Sequence, residues 1–74
     1  HLLGAAGAIE SIASILAIQK SKIPPTINHF KFDDEINSKL NLTLNKYQER
    51  NVNIVMNNTF GFGGHNTCLI FKKI

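Results

Sequence analysis

Residues 2–18, LLGAAGAIESIASILAI, constrain the fold more than any other stretch of the chain. Leu, Ile and Ala fill most of these positions, over a length that suits a helix better than a strand. At 100° per residue, Gly7, Glu10, Ser11 and Ser14 fall within a narrow arc, and the rest of the wheel is apolar or small. A surface helix carries one apolar stripe, so a helix that is apolar nearly all round is expected to be buried on most sides. The chain has only 74 residues, close to the lower limit for a self-sufficient core, and the remainder cannot surround such a helix. Its cover is therefore expected from other polypeptide. The pattern predicts a helix over about Leu3–Gln19. Gly4, Ala5 and Ala8 would allow a second backbone close to its start, and Lys20 and Lys22 complement its negative end. Pro24-Pro25 is expected to stop it. Glu10 at mid-span would cost about 2.5–3.5 kcal/mol in a bilayer, which argues against a membrane crossing.

Composition narrows the classes further. A hydrophobic content of 43% with a net charge of +3 excludes general disorder. The cations Lys20, Lys22, Lys31, Lys39, Lys46, Arg50, Lys72 and Lys73 are scattered, with no basic stripe and no interleaved aromatics, which argues against nucleic-acid binding. A single Cys rules out an internal disulfide framework. The sequence opens on His1, with neither Met nor a signal-peptide n-region, and is expected to be a piece of something larger.

From His29 to Asn51 the chain is mixed and holds neither a helical nor a strand period. This predicts a surface excursion with one short strand or helical turn around Leu40–Leu44. Two β-branched, apolar runs follow, predicting strands over about Val52–Asn57 and Thr67–Lys73, antiparallel across a Gly-rich connection. Consecutive apolar residues, Ile54-Val55-Met56 and Cys68-Leu69-Ile70-Phe71, suggest strands buried on both faces. The connection itself, TFGFGGHN (Thr59–Asn66), reads as a sharp turn that presents backbone N–H groups. A phosphate cradle would need G-K-S/T or a following helix N-terminus, and the next segment is strand-like.

Few side chains could carry chemistry. His1 lies just ahead of the helix, His65 borders the turn as a turn-stabilising polar group, and His29 falls in the polar excursion. Cys68, inside an apolar strand, is expected to behave as a small hydrophobe. Asp33, Asp34 and Glu35 read as a solvated acidic run, and no pair of these residues makes a triad or a metal site.

Three blocks, HLLGAAGAIESIASILA, IPPTIN and NNTFGFGGHNTCLIFKK, resemble the C-terminal end of an elongating (type II) β-ketoacyl-acyl carrier protein synthase. They stand in the family's order and near its spacing, and the first resembles its G-H-x-x-G-A-A-G motif without the leading Gly. Thr59 stands where Ser is usual, and His65 where many bacterial members have Thr.

The resemblance implies an α/β class, the C-terminal part of a thiolase-like fold with a buried helix followed by an antiparallel strand pair. Residues 1–74 would be a C-terminal fragment of the second half-domain, not a complete domain. The family's reaction is a decarboxylating Claisen condensation of an acyl-enzyme with malonyl-acyl carrier protein, an acyltransfer that calls for no cofactor and no metal. His1 matches the second catalytic histidine. Phe62 matches the gate to the acyl pocket, its N–H sharing the oxyanion hole, in a gating loop whose glycines are Gly61, Gly63 and Gly64.

The nucleophilic Cys, the first His and a Lys would lie upstream of His1, so residues 1–74 alone would be inactive; Cys68 does not match the nucleophile. Implied partners are acyl carrier protein, the rest of the same enzyme and a second copy in a homodimer, with neither nucleic acid nor membrane. His65 and the Asn/Lys/Ile bias lean toward a plastid-type organelle, with bacterial cytoplasm as the alternative. Two other readings stay open: a non-catalytic ketosynthase-like chain-length partner, and a small membrane or interaction module.

Overall fold

The computed structural model of the chain describes residues 1–61 and 63–74. A 3₁₀ turn, Leu3–Ala5, leads directly into helix α1, Ala6–Lys20. Two short strands, β1 (Lys22–Ile23) and β2 (Gln48–Glu49), pair antiparallel; a hairpin of β3 (Ile54–Phe60) and β4 (Asn66–Lys72) follows.

The helix has the extent its periodicity predicts, but it ends for a different reason. Ser21, in the left-handed region at φ 53° and ψ 45°, turns the chain and donates its N–H to the Ala17 carbonyl. The helix thus stops four residues before Pro24, by a left-handed cap rather than by the prolines. Lys20 in the last turn faces the carbonyl end of the dipole. Directly beyond the cap, the Arg50 N–H donates to the Ser21 carbonyl at 2.9 Å and extends the β1–β2 ladder.

That ladder was not legible in the polar excursion. Strands of two residues show no period, and this region is held by side-chain amides instead. Asn45 receives the His29 N–H (3.0 Å) and donates to the His29 carbonyl (2.9 Å), as a neighbouring strand would. Asn41 and Gln48 exchange a reciprocal pair of amide bonds at 2.7 and 2.9 Å. Around the expected Leu40–Leu44 element there is only an isolated parallel bridge, Thr26 to Leu44. Lys22 caps the Tyr47 ring, its Nζ 5.2 Å from the centroid, and so ties β1 to the residue before β2. Asp33–Glu35 form the exposed turn expected of them, with the Glu35 N–H bonded to Asp33 Oδ1 at 2.9 Å.

The hairpin is offset toward the glycines. β3 begins at Ile54 rather than Val52 and continues through Thr59 and Phe60, so that the ladder closes on Phe60 opposite Asn66. Along β3 the inward residues are Val55, Asn57 and Thr59, which face α1; Ile54, Met56, Asn58 and Phe60 point away and are exposed. The expectation of strands buried on both faces is therefore not met within these residues. Met56 and its cross-strand partner Ile70 stay 60% and 63% exposed on the outer face.

The helix departs from its expected burial in the same way. Only Ala6 and Ile18 are buried apolar residues, while Leu3, Ile9 and Ile12 remain at least half exposed. An apolar surface this extensive on a small unit marks interfaces with further polypeptide. Among the described residues, no helix is long and apolar enough to cross a membrane.

Candidate functional site

The glycine turn is closed at its base by one backbone bond: the Gly61 N–H donates to the His65 carbonyl at 2.6 Å. Gly63 and Gly64 within it have φ of +79° and +85°, a region that L side chains rarely adopt, which is why the turn needs glycine at both positions. A Cβ on Gly63 would lie 3.9 Å from the His65 ring, in ordinary contact, and one on Gly64 would meet nothing. The two glycines are therefore required by backbone conformation and not by crowding. Phe62, the expected gate, lies outside the described residues.

The start of α1 packs against the strand that feeds this turn. A Cβ on Gly7 would stand 3.8 Å from Thr59 Oγ1, so the close approach occurs at Gly7; Gly4 has nothing within 4 Å. Thr59 donates to Glu10 Oε2 at 3.1 Å, and Asn57, 8% exposed, donates its Nδ2 to Ser11 Oγ at 3.4 Å. Ser11 and Ser14 turn their hydroxyls back to the carbonyls of Gly7 (2.7 Å) and Glu10 (2.8 Å). The narrow polar arc of the helix thus borders the sheet, with Gly7 and Ser11 half-buried against β3 and Glu10 at the exposed rim. The sequence carried the signal, Gly7, Glu10, Ser11 and Ser14 on the helix against Asn57 and Thr59 two residues apart on the strand, but did not join the two halves.

His1 is exposed and stands two residues ahead of the 3₁₀ turn. The helix that follows it and the strand that precedes Gly61 meet at Gly7–Thr59, so the element carrying His1 and the element carrying the glycine turn pack on one another. The other candidates lie elsewhere. Cys68 is exposed on β4, opposite Asn58, and so is not enclosed as its apolar strand suggested. His29 is clasped by Asn45 and packs edge-on to Phe32, with centroids 6.0 Å apart. Among the described residues, no group of His, Cys, Asp and Glu could hold a metal ion.

A helix followed by an antiparallel strand pair is the architecture that the resemblance implied, and comparisons with known proteins agree with it. The family profile described as "Beta-ketoacyl synthase, C-terminal domain" matches residues 1–30. The chain is 47% identical over 73 residues to 3-oxoacyl-(acyl-carrier-protein) synthase 2 of Staphylococcus aureus and 44% identical to that of Synechocystis. It is 45% identical to a mitochondrial relative from Schizosaccharomyces pombe, assigned by name as a 3-oxoacyl-(acyl-carrier-protein) synthase.

Each of these alignments covers 99% of this chain and 17% of the relative. A solved structure titled "The ishigamide ketosynthase/chain length factor" superposes with a TM-score of 0.84 at 42% identity, over 96% of this chain and 17% of that one. The chain is thus of the ketosynthase class, with the α/β architecture of the C-terminal part of that fold. More narrowly, its first 30 residues match a family's C-terminal domain, and the chain spans about one-sixth of the length of the relatives named 3-oxoacyl-(acyl-carrier-protein) synthase that it matches.

Proposed function

We propose that the protein to which these residues belong is a 3-oxoacyl-acyl carrier protein synthase that extends acyl chains in fatty acid synthesis. A cysteine thiolate elsewhere in the enzyme takes an acyl group from acyl carrier protein. Malonyl-acyl carrier protein then loses CO₂, and the electron pair of the broken C–C bond is held as a thioester enolate. Its carbon attacks the acyl thioester, forming the new C–C bond and expelling the cysteine thiolate.

In this scheme the His1 Nε2–H donates to the malonyl thioester carbonyl oxygen, where negative charge accumulates as CO₂ leaves. The turn at Gly61, Gly63 and Gly64 presents the Phe62 N–H to the oxyanion of the attacked acyl thioester, and the Phe62 ring gates the acyl pocket. Residues 1–74 form part of the second half-domain and lack the nucleophile, so they do not turn over alone. Acyl carrier protein bearing acyl and malonyl groups is the substrate carrier, and the full-length enzyme is a homodimer.

The observation that carries this reading is the identity of 44–47% over 73 of the 74 residues with proteins named for this reaction. The test separates the half-reactions in the full-length protein. His1→Ala removes a donor that strengthens only as the enolate forms, and should slow malonyl decarboxylation by about 10²–10³. Formation of the acyl-enzyme should be far less affected. Unchanged decarboxylation would refute the role given to His1.

A second reading is favoured by the solved ketosynthase/chain length factor pair: a partner with this fold that does not condense. Retention of His1 together with intact Gly61, Gly63 and Gly64 supports the catalytic reading, and a cysteine nucleophile upstream would decide between them. For compartment, the relatives include bacterial proteins and one named mitochondrial. A plastid-type organelle rests only on His65 and the Asn/Lys/Ile bias, with bacterial cytoplasm as the alternative. An N-terminal transit extension on the full gene product would support the organelle; a product that begins at the fold would sink it.

A further inference from the structure

A helix that packs on a sheet through alkyl side chains alone has little to fix its rotation or its axial position, because such contacts are non-directional. Helix α1 differs at one place. Two of its polar residues meet the inward polar residues of β3: Glu10, at the exposed rim, accepts from Thr59 at 3.1 Å, and Ser11 accepts from Asn57 at 3.4 Å. The second contact continues into the helix backbone, since Ser11 Oγ donates to the Gly7 carbonyl at 2.7 Å. Gly7 lets the Thr59 hydroxyl come within van der Waals reach of the helix surface. Hydrogen bonds are directional, so these contacts set both the rotation and the register of the helix on the strand.

The location of this seam gives it a consequence. Toward the N-terminus, α1 leads through a single 3₁₀ turn to His1. Toward the C-terminus, Thr59 is two residues from Gly61, where the glycine turn closes. We propose that Glu10, Ser11, Asn57 and Thr59 are positioning residues that hold His1 in register with the glycine turn, so that the enolate-stabilising donor and the acyl-binding turn act on one substrate. This rests on the condensing function proposed above. The seam acts through His1 and touches no reacting atom itself.

The test is a double-mutant cycle in the full-length protein, read as malonyl decarboxylation, with His1→Ala as the second mutation. Thr59→Val keeps the shape and removes the hydroxyl. It should lower decarboxylation by about 10–100-fold, as displacement of a donor by part of an ångström does. Thr59→Ser keeps the hydroxyl and should restore most of the rate. On the His1→Ala background, Thr59→Val should have almost no further effect, because the group it positions is gone. A loss through general instability would instead multiply undiminished on that background.

Glu10→Ala should reproduce the cycle from the other side of the bond, and melting temperatures within a few degrees of wild type would establish that each variant folds. The proposal is overturned if Thr59→Val matches wild type, or if its effect is as large without His1 as with it. A folded wild type that neither forms an acyl-enzyme nor decarboxylates malonyl groups would refute the condensing function itself, a result distinct from either of these.

Discussion

Replacing each glycine of the turn separately tests whether backbone conformation or space dictates them. Gly63 and Gly64 have φ of +79° and +85°, and neither would crowd a Cβ: the His65 ring stands 3.9 Å from the first, and nothing lies within 4 Å of the second. Alanine at either site should therefore cost only the left-handed penalty of an L residue, about 1–2 kcal/mol. That is a factor of about 5–30 in the folding equilibrium. Gly61 has an ordinary φ, and a Cβ there would meet His65 Cβ at 3.4 Å and its carbonyl oxygen at 3.5 Å, at the edge of normal contact. Gly61→Ala should thus cost less than either of the others.

The assay is urea unfolding of the three alanine variants in the full-length protein, with midpoints converted at a common slope. Gly64→Asn provides the control, since Asn tolerates the left-handed region better than other L residues, and should recover part of the loss. Gly63→Val adds a branched Cβ to the strained position and should impair acylation and decarboxylation together. If Gly61→Ala proved the most damaging, close packing and not conformation would be the determinant. Equal stability of Gly63→Ala and wild type would refute the turn geometry itself.

Three further outcomes are expected. Ser21→Gly relieves the left-handed penalty at φ 53°, about 1–2 kcal/mol, against about 0.4–1 kcal/mol of added unfolded-state freedom, and should give a small net increase in the unfolding midpoint. In the full-length enzyme, Phe62→Ala retains the backbone N–H but removes the ring, and should relax chain-length selectivity while condensation partly survives, as product analysis over a series of acyl primers would show. Residues 1–74 expressed alone should self-associate through the uncovered faces of α1 and the hairpin; a monodisperse monomer by light scattering would contradict this.

What could be read in the sequence follows the range over which each determinant acts. The α1 span and the hairpin were legible because a helical period and paired β-branched runs are local signals, and the glycines announced the turn between them. The helix stop was misassigned to Pro24-Pro25 because a serine in the left-handed region has no sequence signature, whereas a proline pair does. The β1–β2 ladder is not legible because the side-chain bonds that hold this region, Asn41 with Gln48 and Asn45 with His29, act across 7 and 16 residues between side chains equally suited to water.

Burial was misjudged in an instructive direction. Residue type records the surroundings a side chain is suited to, and the exposed Ile9, Ile12, Met56 and Ile70 are suited to an interior that these 74 residues do not supply. The same reasoning applies to the polar arc of the helix. In an isolated amphipathic helix, Glu10, Ser11 and Ser14 would mark the solvent side, and the remaining apolar surface would mark the core. Here much of the apolar surface of the helix is open, while Gly7 and Ser11 of the polar arc pack against β3 beside the buried Ala6 and Ile18. The polar stripe of this helix therefore marks its hydrogen-bonded contact with β3, where the partner residues are Asn57 and Thr59, spaced two apart.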